Sequence, residues 1–227
     1  MPQLTWFILA FALAVSAGWI TYLVRRIPQS TPISGRRLLL TGATGALVAI
    51  PAGMLGIASL PLFDLDPASA SRLTLALHLI LGVGLVEELA KWVAARFGTQ
   101  GQNPALGQQL LLASAAAAGF MFMENLLAWL GPLGQSSARE LFTILVLRTV
   151  TSPVHIALAS LWGTAQGGRV WLWLAIATLL HGSYDFFLLT GQVSIALAIF
   201  ALILALFGLR IGQVQRNWAQ ARSDTGN

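Results

Sequence analysis

Two adjacent glutamates and a lysine interrupt one of the most apolar segments of this chain. The stretch LGVGLVEELAKWVAARF, residues 81–97, contains Glu87, Glu88 and Lys91 within five positions. An ionisable side chain at the centre of a bilayer costs about 2.5–3.5 kcal/mol on insertion scales, so such residues mark function by default. On a helix Lys91 can pair with either glutamate, because it follows them by four and three residues. A carboxylate held beside a cation and away from bulk water is a candidate general base.

Further polar residues occur on the apolar segments that follow. They are Glu124 with Asn125, Arg148 with His155, and His181 with Asp185. Arg148 and His155 are seven residues apart, and His181 and Asp185 are four apart, so each pair shares one helix face. An isolated pair could simply fix helix packing, but eight ionisable residues on four segments exceed that need. The spacing therefore predicts that four polar helix faces meet in one interior site.

A carboxylate beside imidazoles suits the hydrolysis of a carbonyl compound. The carboxylate activates water by general-base catalysis, and the imidazoles donate hydrogen bonds to the developing oxyanion. Inside a bilayer, the available carbonyl is a peptide bond of another membrane protein. Cysteine is absent, which excludes thiolate catalysis and Cys-ligated metals, and the zinc-binding pattern HExxH is also absent. The sequence favours a site without metal or cofactor, with zinc held by Glu87, Glu124, His155 and His181 as the alternative.

The composition places these residues in a membrane protein. Of the 227 residues, 56% are hydrophobic and only 9% are charged, whereas soluble domains carry about 25% charged residues. Segments long enough to cross a bilayer recur at roughly 4–24, 38–60, 73–96, 108–130, 141–165, 170–189 and 193–211. We therefore expect an all-α, polytopic transmembrane helix bundle of about seven spans. It forms one integral membrane domain over residues 1–227, with its motif-bearing catalytic core at 73–190.

The basic residues predict the orientation of this bundle. In the seven-span arrangement one side carries nine arginines, which are Arg25, Arg26, Arg36, Arg37, Arg96, Arg169, Arg210, Arg216 and Arg222. Only Arg72 and Arg139 fall on the other side. The positive-inside rule then places the N-terminus outside and the C-terminus in the cytoplasm, as a multi-pass protein of the cell (inner) membrane. The net charge of +5 thus reflects the membrane topology. The lipid bilayer is an expected partner, and nucleic acid is not.

The polar segments resemble, in order, the motifs of the PrsW family of intramembrane proteases. The matching residues are EELAK (87–91), GFMFMEN (119–125), Arg148 with His155, and HGSYD (181–185). The family is related to the CAAX-processing protease clan, and this resemblance implies a glutamate-activated water. It implies Glu87 as base with Glu88 and Lys91 in support, and His181 as oxyanion donor.

The second motif differs from that of the CAAX-processing clan. Glu124 stands where the clan has a histidine, which leaves open whether Glu124 or His155 assists Glu87, and depth along the helices favours His155. The expected catalytic residues are Glu87, Glu88, Glu124, His155 and His181, supported by Lys91, Asn125, Arg148 and Asp185. The resemblance also implies a membrane-anchored protein substrate, such as an anti-sigma factor or another single-span protein.

Two other functional classes are compatible with buried ionisable residues. A proton- or ion-coupled transporter also uses buried Glu, His and Arg, although the sequence shows no inverted repeat. A non-catalytic relative that only binds membrane partners would be marked by degraded motifs, and all four motifs are intact here. The sequence therefore favours an intramembrane endopeptidase, of the glutamic type rather than the zinc-dependent type.

Overall fold

The described part of the chain is helical and contains no strand. The computed structural model describes residues 2–28, 32–63, 71–100, 102–130 and 152–224. Its α-helices are α1 (Pro2–Arg26), α2 (Gly35–Ala58), α3 (Arg72–Leu77), α4 (Leu85–Gly98), α5 (Leu106–Leu130), α6 (Pro153–Gly163), α7 (Val170–Leu189) and α8 (Val193–Asp224). Short 3₁₀ segments lie at Leu60–Phe63 and Gly167–Arg169, and a π-helix at His78–Gly84 joins α3 to α4. The predicted all-α class is confirmed for these residues.

In the described part of the chain, five helical segments are long and apolar enough to cross a membrane. They are Gly35–Phe63, Arg72–Gly98, Leu106–Ala128, Gly167–Leu189 and Val193–Asp224. Each coincides with a predicted span, and α1 occupies the position of the first predicted span. Of the predicted span at 141–165, residues 141–151 lie outside the described residues, and α6 forms the remainder. The protein is therefore a multi-pass membrane protein.

Helix α5 lies at the centre of the bundle, packed against α1, α2, α4 and α6. Its segment from Leu110 to Ala118 is buried throughout. Small residues allow neighbouring backbones to approach closely where lipid supplies no hydrophobic driving force. At the crossing with α2 the carbonyl oxygen of Gly42 occupies the space that a side chain on Gly119 would need. The alanine-rich sequence of α5 thus makes it the central element of the bundle.

A second close crossing aligns the helices that carry two of the motifs. A Cβ atom on Gly182 of α7 would lie 2.5 Å from the Cα atom of Ile80 in the π-helix. The π-helix adds a residue to a helical turn and so changes the direction in which the following side chains project. It ends at Gly84, three residues before Glu87, while Gly182 directly follows His181. This crossing therefore brings the first and fourth motifs into contact.

Candidate active site

Glu88 has hydrogen-bond partners at both of its carboxylate oxygens. Its side chain has no exposed surface, and both carboxylate oxygens accept hydrogen bonds. Oε1 lies 2.6 Å from Lys91 Nζ and 3.0 Å from His181 Nδ1. Oε2 accepts a 2.9 Å hydrogen bond from Trp162 Nε1. A buried carboxylate with this many donors joins helices α4, α6 and α7 into one unit.

Lys91 is the cation at the centre of the cluster and is also fully buried. Besides its bond to Glu88, its ammonium nitrogen lies 3.9 Å from Glu87 Oε2 and 3.2 Å from His155 Nδ1. The ring of Phe120 lies beneath it, with the centroid 5.0 Å from Nζ. An ammonium over an aromatic face is stabilised by the ring quadrupole. Of the two pairings that the sequence allows, the close one is with Glu88.

Glu87 differs from its neighbour in having an unsatisfied oxygen. Its Oε2 atom is buried and has no hydrogen-bond partner among the described residues, while the side chain as a whole is 12% exposed. Among the described residues, His181 Nε2 lies 3.7 Å from this atom and Lys91 Nζ lies 3.9 Å from it. Leaving a buried acceptor unpaired costs free energy, so such an atom is suited to bind a water, an ion or a substrate group.

The two imidazoles lie against each other between the carboxylates. Their ring centroids are 5.2 Å apart and the rings are nearly perpendicular. His181 Nδ1 contacts Glu88, which directs Nε2 toward Glu87. His155 Nε2 lies 2.9 Å from Glu124 Oε2, and its Nδ1 faces Lys91. Because an ammonium can only donate, this arrangement assigns the proton of neutral His155 to Nε2, on the Glu124 side.

The remaining predicted residues are placed around this centre. Asp185 Oδ2 lies 3.6 Å from His181 Nε2, one turn along the same helix. Asn125 is buried and donates from Nδ2 to Ser152 Oγ at 2.9 Å, which ties α5 to the start of α6. Arg148 lies outside the described residues. The structure thus brings together seven of the other eight predicted site residues, and the eighth, Asn125, contacts Ser152.

Three contacting residues were not predicted from the sequence. Trp162 donates to Glu88, Phe120 underlies Lys91, and Ser152 accepts from Asn125. Trp162 carried a detectable signal, because it follows His155 by seven residues and so lies on the same helical stripe. A buried indole N–H also requires an acceptor. Phe120 belongs to the second motif, GFMFMEN (119–125), although it was not among the predicted site residues.

The donor set is compatible with a metal ion. Glu87, His155 and His181 each offer a ligand atom, and these atoms all lie within 4.8 Å of one another. Two histidines and a glutamate form a known ligand set of catalytic zinc, in which a fourth position stays open for water. The bond of His181 Nδ1 to Glu88 would orient Nε2 as a ligand, and the unpaired Glu87 oxygen faces it. Glu124, the fourth predicted ligand, contacts His155 instead.

Comparison with known proteins supplies the family. Residues 34–209 match the model of the PrsW family, described as intramembrane metalloproteases. No curated protein and no solved structure shows significant similarity to the chain. The match covers more than half of the chain and includes all four polar segments, so the predicted resemblance is confirmed. The chain belongs to the PrsW family of intramembrane proteases.

Proposed function

We propose that this protein is an endopeptidase that hydrolyses a peptide bond of a membrane-anchored protein, with Glu87 activating the attacking water. One observation carries the proposal. The Oε2 atom of Glu87 is buried and unpaired among the described residues, and it faces the Nε2 atom of His181 at 3.7 Å. A water molecule between these atoms would have an acceptor on one side and an imidazole on the other.

In the proposed reaction Glu87 takes a proton from this water, and the hydroxide oxygen attacks the carbonyl carbon of the scissile bond. The electron pair of the carbonyl moves to its oxygen, to which doubly protonated His181 donates from Nε2. Glu87 then transfers the proton to the leaving amine nitrogen as the C–N bond breaks. Glu88 balances the charge on the imidazole through its contact with Nδ1.

Glu88 and Lys91 act in this proposal as positioning residues. Both oxygens of Glu88 already accept bonds from protein donors, so it has less capacity to bind water than Glu87. Lys91 compensates the buried charge and faces His155 Nδ1 at 3.2 Å. We assign the role of assisting Glu87 to His155, because ligand atoms of Glu87, His155 and His181 lie within 4.8 Å of one another. Glu124 orients the ring of His155 through its contact with Nε2.

A zinc-dependent version of the same hydrolase is the second candidate. The donor set of Glu87, His155 and His181 favours it, as does the family description. A zinc ion there would polarise the scissile carbonyl and promote ionisation of a bound water. The ammonium of Lys91 opposes it, because it lies within 4 Å of atoms in two of the three proposed ligands. The ammonium would repel a cation held by these ligands, and we therefore retain the glutamic mechanism as the main proposal.

We further propose the predicted topology of seven spans, with the N-terminus outside, the C-terminus in the cytoplasm and residues 73–190 as the catalytic core. The inner cell membrane is the proposed location, supported by the nine arginines on one side. Family membership implies a membrane-anchored protein substrate. An anti-sigma factor or another single-span protein would present one helix to the site.

The test is cleavage of a single-span membrane protein by the purified chain in detergent. Glu87→Gln and His181→Ala should each abolish cleavage, whereas full activity in both would contradict the proposal. Excess chelator with elemental analysis then separates the two mechanisms. The glutamic mechanism predicts full activity without bound metal, and loss of activity restored by zinc would establish the second candidate.

A further inference from the structure

A polar cavity opens at one end of the bundle, close to the buried site. Its volume is about 600 Å³, and it lies where α4 and α6 end and α5 and α7 begin. Its polar lining residues are Arg96, Thr99, Gln102, Asn103, Gln109 and Gln166. Arg96, Gln102, Asn103 and Gln166 are exposed, whereas Ala95, Ala113 and Trp162 at its inner end are buried. We call this cavity the vestibule.

A side chain that lines the vestibule is hydrogen-bonded to the catalytic cluster. Trp162 is only 3% exposed and lines the vestibule, while its Nε1 atom donates to Glu88 at 2.9 Å. On α4, Trp92 lines the vestibule one turn beyond Glu88. On α6, the stripe that contains Trp162 continues through Ala159 to His155. Trp162 therefore lies between the vestibule and the catalytic residues.

Hydrolysis requires water at a site that the protein buries. Glu88 and Lys91 are fully buried and His181 is 3% exposed, whereas the Glu87 side chain is 12% exposed, so water can reach the inner side of the cluster only through the bundle. Bulk hydrocarbon offers no supply, whereas a cavity lined by amide, hydroxyl and guanidinium groups can hold water. The vestibule has such a lining and ends at a residue bonded to the cluster.

We propose that the vestibule supplies water to the active site and that Trp162 is a positioning residue between them. Its ring fills the passage, and its N–H holds the Glu88 carboxylate that contacts His181. The supply of water as reactant rests on the proposed function, since a protein that does not hydrolyse has no need of it. Whether the cavity contains water and is closed at its inner end by the Trp162 indole can be measured without catalysis.

The absence of cysteine makes thiol labelling a direct test. Single cysteines are introduced in the vestibule wall (Ala95→Cys), between Trp162 and His155 (Ala159→Cys), and on the outer surface of α7 (Leu179→Cys). Protein in lipid nanodiscs is treated with a charged, membrane-impermeant methanethiosulfonate. Ala95→Cys should react at least about tenfold faster than Leu179→Cys, because the reagent attacks a thiolate, which forms in water and not in hydrocarbon. Equal rates would overturn the aqueous vestibule.

Two substitutions of Trp162 separate its ring from its N–H group. Trp162→Phe keeps an aromatic ring and removes the donor, whereas Trp162→Gln keeps an N–H donor on a smaller side chain. The cysteine of Ala159→Cys should be protected from the reagent when Trp162 is unchanged and in the Trp162→Phe background. In the Trp162→Gln background it should react. Labelling of Ala159→Cys that is the same in all three backgrounds would show that the ring does not close the passage.

Cleavage kinetics test the positioning role. Trp162→Phe should lower kcat by about ten- to hundredfold, since hydrogen bonds to charged groups are worth about 1.5–3 kcal/mol. KM should stay within about twofold, because Trp162 acts through Glu88 and not on the substrate helix. An unchanged kcat, or a rise in KM alone, would overturn this role. If the unmodified chain cleaves no substrate while the labelling pattern is as expected, the proposed function fails and the closed vestibule stands.

Discussion

His181 Nδ1 lies 3.0 Å from Glu88 Oε1, although the two residues are 93 positions apart in the chain. This contact fixes the orientation of the imidazole, because it directs the other ring nitrogen toward Glu87. It also gives two adjacent glutamates different environments. Glu88 is saturated by protein donors, whereas Glu87 retains a buried oxygen without a hydrogen-bond partner among the described residues.

The two glutamates should respond differently to the same substitution. Glu87→Gln should lower kcat by about 10²–10⁴-fold, the usual contribution of a general base, with little change in stability. Glu88→Gln should lower the free energy of unfolding by about 3–5 kcal/mol, because it removes the closest counter-charge of the fully buried Lys91 ammonium, at 2.6 Å. Cleavage rates and thermal unfolding in detergent measure both effects. Equal stability losses in the two variants would contradict the division of roles.

The Glu88–Lys91 pair should show strong coupling in a double-mutant cycle. Lys91→Met alone should destabilise the protein, since it leaves a fully buried carboxylate without its closest donor, at 2.6 Å. Combining Lys91→Met with Glu88→Gln removes both charges and should recover part of the loss. Thermal unfolding of the two single variants and the double variant provides the cycle. Additive losses would show that the pair does not act as a unit.

The close crossing at Gly182 predicts sensitivity to a single methyl group. Gly182→Ala places a Cβ 2.5 Å from the backbone of Ile80, so α7 must shift and His181 must move with it. We expect a destabilisation of at least about 1–3 kcal/mol together with loss of cleavage. Gly208→Ala in α8 is the matched control, because nothing lies within 4 Å of its added Cβ. A control variant as damaged as Gly182→Ala would exclude the steric explanation.

His155 and Glu124 should act as one catalytic unit. Glu124→Gln removes the charge that faces His155 Nε2 at 2.9 Å and should lower kcat by about tenfold or more through misorientation of the ring. His155→Gln should lower kcat by at least as much. Adding Glu124→Gln to His155→Gln should lower kcat little further. Single-turnover cleavage of the three variants measures the coupling. Independent, multiplicative losses would indicate that Glu124 acts on Glu87 or the substrate directly.

The sequence was sufficient for the class of fold and for identifying polar residues that the described structure brings into contact. Charged residues are so unfavourable in apolar helices that their positions alone indicated function, and helical periodicity placed each pair on one face. Glu87, Glu88, Lys91, His155 and His181 are in contact as a result. The family followed from the order of the same residues, because four short motifs in series are specific where one is not.

Only the tertiary structure decided which of the two neighbouring glutamates is fully hydrogen-bonded. Glu87 and Glu88 have the same chemistry and adjacent positions, and periodicity could not show which one the other helices would saturate. That outcome depends on long-range contacts: His181 and Trp162 reach Glu88 because glycines let the backbones approach and because a π-helix sets the direction of α4. Such contacts depend on the relative positions of whole helices, and spacing along one helix does not encode them.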